Sequence, residues 1–392
     1  MNILLLHQHY RSPEKGGAIR SYYLTKALAQ AGIRVTLITT HNEKKYAKEK
    51  SDGIEIHYLP IAYDNTFAFS ARIISFIKFT WKASRLGTRM GSFDYCYAIS
   101  VPLTVGIAAM WIKYRLRIPY IFEVGDLWPE APVQIGAVKN LWAQKLLYVL
   151  EKKIYQSAHS IVALSPSIKQ YIEGKVADKK IHLIPNMADC DYFLPEDKPE
   201  SENQLNIQPN KFTVTYIGTI GVANGLDYFL ECANTARKAA LPVQFVLMGA
   251  GAELERLKKA KEKLGLTDVV FIDFGSRERV KEVLAYTDAC FVCYKNLPVL
   301  QTGSPNKYFD ALAAGKLVII NFAGWIKLEI ELEKCGVALD PLHPSDFVTQ
   351  VSSFLNNPQQ LKQYQQNARA LALKKYSRAQ LSKEFTKVFT NF

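Results

Sequence analysis

The strongest constraint on this chain is a pattern that runs twice. Short apolar runs alternate with stretches of helical period, first from "NILLLH" to "IHLIPN" and again from "FTVTYIGTIG" to "GVALD". In the first half "NILLLH", "RVTLITT", "GIEIHYLP", "YCYAIS", "PYIFEV" and "SIVALS" read as strands, and "IRSYYLTKALAQAG" reads as a helix closed by Gly32. In the second half "VQFVLMGAG", "VVFIDFGS", "ACFVCY" and "KLVIINF" repeat the plan. Near-continuous apolar strands separated by helices predict a mostly parallel sheet covered on both faces. Residues 196–211, "EDKPESENQLNIQPNK", are polar and turn-rich, and read as a linker or surface loop. With 392 residues, 48% of them hydrophobic, the chain supports two doubly wound α/β domains. These are drawn at 1–190 and 191–375, with 376–392 as a final helix.

Several classes are disfavoured. No apolar run approaches the length of a membrane span, and the start, Met1-Asn2, has no basic leader character, so a cytoplasmic protein is expected. The six cysteines are too sparse for a disulfide scaffold. Cys290 and Cys293 lie three apart on a strand and point to opposite faces, which reads as core rather than redox or metal chemistry. The net charge of +13 is uneven: residues 1–190 hold 25 Lys/Arg against 14 Asp/Glu, and the remainder hold 24 against 22. The first half therefore faces something anionic. Residues 65–93 contain no acid, and Lys78, Lys82, Arg85 and Arg89 recur at helical spacing with Phe69, Ile73, Phe76, Ile77 and Trp81 on the apolar side. Such a helix suits an anionic bilayer, or equally a sheet with its basic face in water. No nucleic-acid motif accompanies the charge.

Strand ends carry the chemistry. "HQHYRSPEKGGAIR" places Gly16 and Gly17 before the first helix and Arg20 at its start, where backbone meets a diphosphate. It lacks the GxGxxG fingerprint, and "TLITTHN" ends the second strand without the acid that holds a nicotinamide cofactor's ribose. "FEVGDLWPEAP" ends a strand on Glu123 and then Asp126. "GTIGVANG" (with Gly218, Thr219 and Asn224), "MGAG" (with Gly249) and "DFGSRERV" (with Gly275, Ser276 and Arg277) end strands of the second half. "TGSPNKYFDALAAGK" reads as a loop through Gly303 into a helix, Ser304 its N-cap, Pro305 its first residue, and Asn306 and Lys307 in its first turn. Asp310 follows three residues after the lysine. Each turn alone also fits an ordinary glycine turn or cap; together they point to a nucleotide site.

In this order the segments resemble glycosyltransferase family 4, retaining enzymes of the GT-B fold, in which two Rossmann-like domains face each other across a cleft. The likeness covers nearly the whole chain. It is nearest to bacterial cell-surface polysaccharide enzymes, including those resembling L-N-acetylfucosamine transferases of capsule and O-antigen assembly. The resemblance implies a UDP-sugar held mainly by the second domain, an acceptor mainly on the first, and a final helix that crosses back. It sets Asp310 on the ribose, and 303–307 on the diphosphate with Gly16 and Gly17 opposite. Gly275, Ser276 and Arg277 then lie at the base, and Asp126 lies near the transferred sugar. Thr302, Thr219 and Asn224 stand where many members carry a glutamate, an arginine and a lysine. Lys307 is then the first candidate to compensate the leaving phosphate, with Arg277 and Arg20 behind it. The expectation is a metal-independent transfer, with no cofactor beyond the donor, to a polyprenyl-diphosphate-linked saccharide at the inner membrane face. A UDP-sugar epimerase of the same fold, or a non-catalytic nucleotide-sugar-binding partner, are the alternatives.

Overall fold

The computed structural model describes residues 1–13, 20–64, 67–200 and 205–390. Gly16 and Gly17 lie outside the described residues. The chain divides into two units: Met1–Pro185 with Thr302–Ser304 and Ala379–Phe392, and Asn186–Gln301 with Pro305–Arg378.

The first unit is built on β1 (Asn2–Leu6), α1 (Arg20–Gln30), β2 (Arg34–His41), β3 (Ala47–Ser51), β4 (Ile54–Pro60), α2 (Phe69–Gly87), β5 (Tyr95–Ile99) and α3 (Val105–Leu116). It continues through β6 (Tyr120–Val124), α4 (Glu130–Gln134), α5 (Leu141–Ser157), β7 (Ser160–Ala163), α6 (Pro166–Lys175) and β8 (Ile181–Leu183). The strands order as β3-β4-β2-β1-β5-β6-β7-β8, parallel except for the β3–β4 pair. Ile3, Leu4, Leu5 and Leu6 are all fully buried, as a strand covered on both faces requires. Asn140 and Ser165 cap α5 and α6, their side chains accepting from Ala143 N–H and Ile168 N–H at 3.0 Å each.

The second unit holds β9 (Phe212–Ile217), α7 (Asp227–Lys238), β10 (Val243–Gly249), α8 (Leu254–Leu264), β11 (Val269–Asp273), α9 (Arg277–Ala285) and β12 (Ala289–Val292). Then come α10 (Asn306–Ala313), β13 (Leu317–Ile320), α11 (Trp325–Leu332), β14 (Gly336–Ala338), α12 (Asp346–Asn356) and α13 (Pro358–Leu371). Its sheet orders as β11-β10-β9-β12-β13-β14, all parallel. Cys290 and Cys293 are free and buried. The stretch expected as linker or surface loop is not wholly that: Leu205 and Ile207 are buried against Val246, Met248 and Ile272.

The last helix, α14 (Arg378–Thr390), buries Leu381, Phe385, Val388 and Phe389. The rings of Phe385 and Phe389 stand edge-on to Tyr97 of β5 at 5.1 and 5.5 Å. Helix α2 departs from its expected faces. Phe76, Phe79 and Ala83 point inward, whereas Ile74, Ile77 and Trp81 are exposed beside Lys78 and Arg85.

Candidate active site

Each sheet contains one strand at which the winding reverses: β1, between β2 and β5, and β9, between β10 and β12. Ligands of open α/β sheets bind outside the carboxyl ends of strands at such points.

In the second unit the turns after β9 and β10 are joined backbone to backbone. Ile220 N–H donates to Ala250 C=O at 2.8 Å, and Glu253 N–H to Ile220 C=O at 3.1 Å. A Cβ on Gly249 would lie 1.9 Å from the Gly218 carbonyl oxygen, and one on Gly251 2.2 Å from that of Ile220. These glycines are fixed by the meeting of two turns, a role the sequence does not distinguish from phosphate approach. Asn224, expected against the donor, is buried in the turn itself, and its Oδ1 accepts from Gly221 N–H at 3.4 Å. Thr219 is exposed at the apex.

Beside this turn stands Lys307, the second residue of α10. Its Nζ donates to Tyr216 Oη at 2.7 Å, and that hydroxyl donates to Thr219 C=O at 2.7 Å. The ammonium lies 4.0 Å from the Tyr216 ring centre and 5.5 Å from that of Tyr294. A Cβ on Gly218 would lie 3.3 Å from Nζ. Among the described residues no carboxylate pairs with it. Burial pushes its pKa down to about 7, with the Cys293 thiol acting weakly in the other direction. Helix α10 begins one residue later than its sequence suggests. Pro305 is the N-cap, and Ser304 is a buried residue ahead of it. Gly303 is partly exposed, Asn306 is exposed at the helix start, and Gly315 closes the helix at φ +61°.

Asp310 lies one turn beyond Lys307. Burial pushes its carboxyl up to about 7, Arg277 opposing and Asp189 adding to the shift. Arg277 stacks over Tyr192 at 4.0 Å and donates to Asp189 Oδ2 at 2.7 Å. Arg378 holds the other Asp189 oxygen at 2.8 Å. Arg277, expected as a reserve cation for the leaving phosphate, thus shares the Asp189 carboxylate with Arg378. Ser276 caps α9, accepting from Arg279 N–H at 3.4 Å, with Gly275 just before it.

In the first unit the structure joins two expected ligand residues to each other. Arg20 Nε and Nη2 donate to the two Glu123 oxygens at 3.0 Å each. Arg20 also donates to the carbonyls of Ile184 and Pro185, and Tyr97 Oη donates to Glu123. Four of the five guanidinium N–H groups are thus taken, and the side chains are 8% and 1% exposed. Neither a diphosphate contact for Arg20 nor a chemical role for Glu123 fits this. Both are corrected to a buried structural pair. Asp126, two residues past β6, differs: solvent reaches its side chain, yet the surrounding protein strips enough water from it to raise its carboxyl above the ordinary range.

Sequence reasoning missed His7, His9, Tyr63 and Trp128. His9 lies 4.3 Å from Tyr63 ring to ring and 6.2 Å from Phe76, and Phe76 lies 6.0 Å from Trp128. His7 Nδ1 is 2.8 Å from Ser21 Oγ. Burial pushes both histidines down to about 3, so they are neutral at physiological pH. Among the described residues no group of three or more His, Cys, Asp or Glu is placed to hold a metal, and no helix is long and apolar enough to cross a membrane.

Two α/β units with mainly parallel sheets, one with a partly buried lysine and a carboxylate on successive turns of a helix beside its switch-point strand, make up the architecture of the GT-B type. Residues 15–187 match the family described as glycosyl transferase 4-like domain, and residues 197–371 match glycosyl transferases group 1. The chain belongs to the GT-B glycosyltransferases of the family-4 type. Among curated proteins it is similar to the colanic acid biosynthesis glycosyl transferase WcaI of Escherichia coli, with 25% identity over 53% of this chain and 52% of that protein. The chain spans about half the length of the first curated relatives it matches. Among solved structures, the sucrose-phosphate synthase of Thermosynechococcus elongatus superposes with a TM-score of 0.81 at 19% identity, covering 100% of this chain and 98% of that one. HepE of Anabaena, solved with UDP and glucose, superposes with a TM-score of 0.70 at 15% identity, covering 100% and 99%. At these identities the structures show the shared fold.

Proposed function

We propose that this chain is a retaining transferase that moves a sugar from a UDP-sugar to a membrane-lipid-linked saccharide in cell-surface polysaccharide assembly. The observation that carries the donor half is Lys307: a partly buried ammonium with no carboxylate partner among the described residues, one helical turn from Asp310. A diphosphate would supply the missing charge, and Asp310 would take the ribose hydroxyls. HepE was solved with UDP, and WcaI bears the name of a polysaccharide enzyme, which supports both halves. The acceptor's anionic diphosphate and membrane fit the basic first half, where the acceptor would bind near Asp126.

In the reaction the bond between the sugar's anomeric carbon and the UDP oxygen breaks. The acceptor oxygen bonds to that carbon from the same face, and its proton passes to the departing phosphate. No enzyme nucleophile is required. Lys307 and the helix start compensate charge developing on the phosphate, so transfer should survive chelators. The transferred group is a hexose or an N-acetylaminosugar.

The test is single-turnover transfer from a panel of UDP-sugars to lipid extracts, with and without a chelator. Labelled lipid from one donor is expected. UDP binding with no labelled lipid from any donor would sink the reading, and UDP-sugar turnover without acceptor would mark an epimerase instead. Asp310→Ala should weaken UDP binding about ten- to a hundredfold, since hydrogen bonds to charged groups contribute about 1.5–3 kcal/mol. Unchanged UDP affinity by calorimetry would remove Asp310 from the ribose.

A further inference from the structure

Three helices of the first unit, α2, α3 and α5, carry the same device on their outer faces. Trp81 of α2, Trp111 of α3 and Trp142 of α5 are 59%, 47% and 80% exposed. Each has a cation from its own helix over the ring: Arg85 at 5.6 Å, Arg115 at 5.7 Å and Lys145 at 6.0 Å. Aliphatic side chains extend the surface: Ile74 and Ile77 on α2, and Leu141, Leu146 and Val149 on α5. Helix α3 also packs closely on α5, because a Cβ on Gly106 would lie 2.7 Å from Ile154.

The charge on these helices has one sign. Together α2, α3 and α5 hold nine Lys or Arg and a single acid, Glu151. Glu151 is fully buried and paired with Lys175, so it does not offset the outward charge. Beside Leu141 and Val149, a recess between α5 and α6 is lined by Lys145, Lys152 and Lys175. Indole rings prefer the boundary between headgroups and acyl chains, and lysine and arginine are drawn to anionic headgroups. A soluble surface rarely exposes this much aromatic and aliphatic side chain without a partner.

We infer that the outer face of α2, α3 and α5 docks on an anionic phospholipid bilayer, with Trp81, Trp111 and Trp142 at the headgroup boundary. The basic helix legible in the sequence is one part of this face, not the whole of it. The membrane-borne acceptor proposed above gives the docking its purpose, but the surface stands on its own observations.

The experiment uses the full chain with phosphatidylcholine vesicles, with and without phosphatidylglycerol, some carrying brominated acyl chains. Wild-type protein should sediment with anionic vesicles, and brominated lipid should quench its tryptophan emission. Trp81→Ser, Trp111→Ser and Trp142→Ser combined should lower vesicle affinity by about tenfold or more with an unchanged melting temperature. Lys78→Glu, Arg85→Glu and Lys145→Glu combined should do the same. No sedimentation of the wild type, no quenching, or unchanged affinity in both variants would overturn the inference. So would self-association that the tryptophan variant abolishes without any vesicle binding, which would assign the face to a second copy of the chain. Vesicle binding without labelled lipid from any donor would remove the acceptor reading and leave the face. Labelled lipid in detergent without vesicle binding would do the reverse.

Discussion

Lys307→Met should raise the melting temperature of the ligand-free protein and weaken its stabilisation by UDP. The ammonium is held near a pKa of about 7, well below the ordinary lysine value of 10.5. Between these values the unfolded chain binds more protons than the folded one, so wild-type stability rises with pH across roughly 7 to 10.5 and the penalty is fully felt below 7. Methionine keeps the stem and removes the charge. The gain should be on the order of 1–3 kcal/mol at neutral pH, with melting shifts of about 2–4 °C per kcal/mol for a unit of this size. UDP acts in the opposite sense. Its diphosphate favours the ammonium, so binding to the wild type near pH 8 should take up a proton. That uptake appears as a calorimetric enthalpy that varies with the buffer's ionisation heat. Donor affinity should also fall as pH rises above 7. An unchanged melting temperature together with unchanged UDP binding would remove Lys307 from the site.

Glu123→Ala should destabilise the first unit by about 3–5 kcal/mol, because it leaves the Arg20 guanidinium buried without its counter-charge. The double variant Arg20→Met, Glu123→Leu should recover much of that loss. At a temperature where the single variant is still folded, sugar transfer per folded molecule should stay within a few-fold of wild type. A loss of several hundredfold with an unchanged melting temperature would return Glu123 to the chemistry.

The parallel strands were legible because burial on both faces writes itself as unbroken apolar runs, as in Ile3 to Leu6. Strand β3, "AKEKS", was not: it is polar, largely exposed and held at an edge by its antiparallel pairing with β4. Leu205 and Ile207 were hidden in a polar stretch, since two apolar residues have no period to detect. Helix α2 was legible as a helix, but with Phe, Ile and Trp on several faces its sequence did not say which side meets the sheet. In the site, Lys307 and Asp310 could be found because they share one short helix. Tyr216 lies 91 residues from Lys307, and Glu123 lies 103 from Arg20, so only the fold reveals who partners whom. That second pairing is why two residues that read as ligand groups prove structural.

Helix α14 has a further consequence, in the timing of synthesis. The sheet of the first unit is completed by a segment made only after all the strands of the second unit. Until Leu381, Phe385, Val388 and Phe389 are released, Tyr97 and its neighbours on β5 lack their cover. The second unit, which carries Lys307 and Asp310, has all of its strands by Ala338. The unit made earlier is therefore finished later, and a chain cut short of α14 loses part of the first unit rather than of the second.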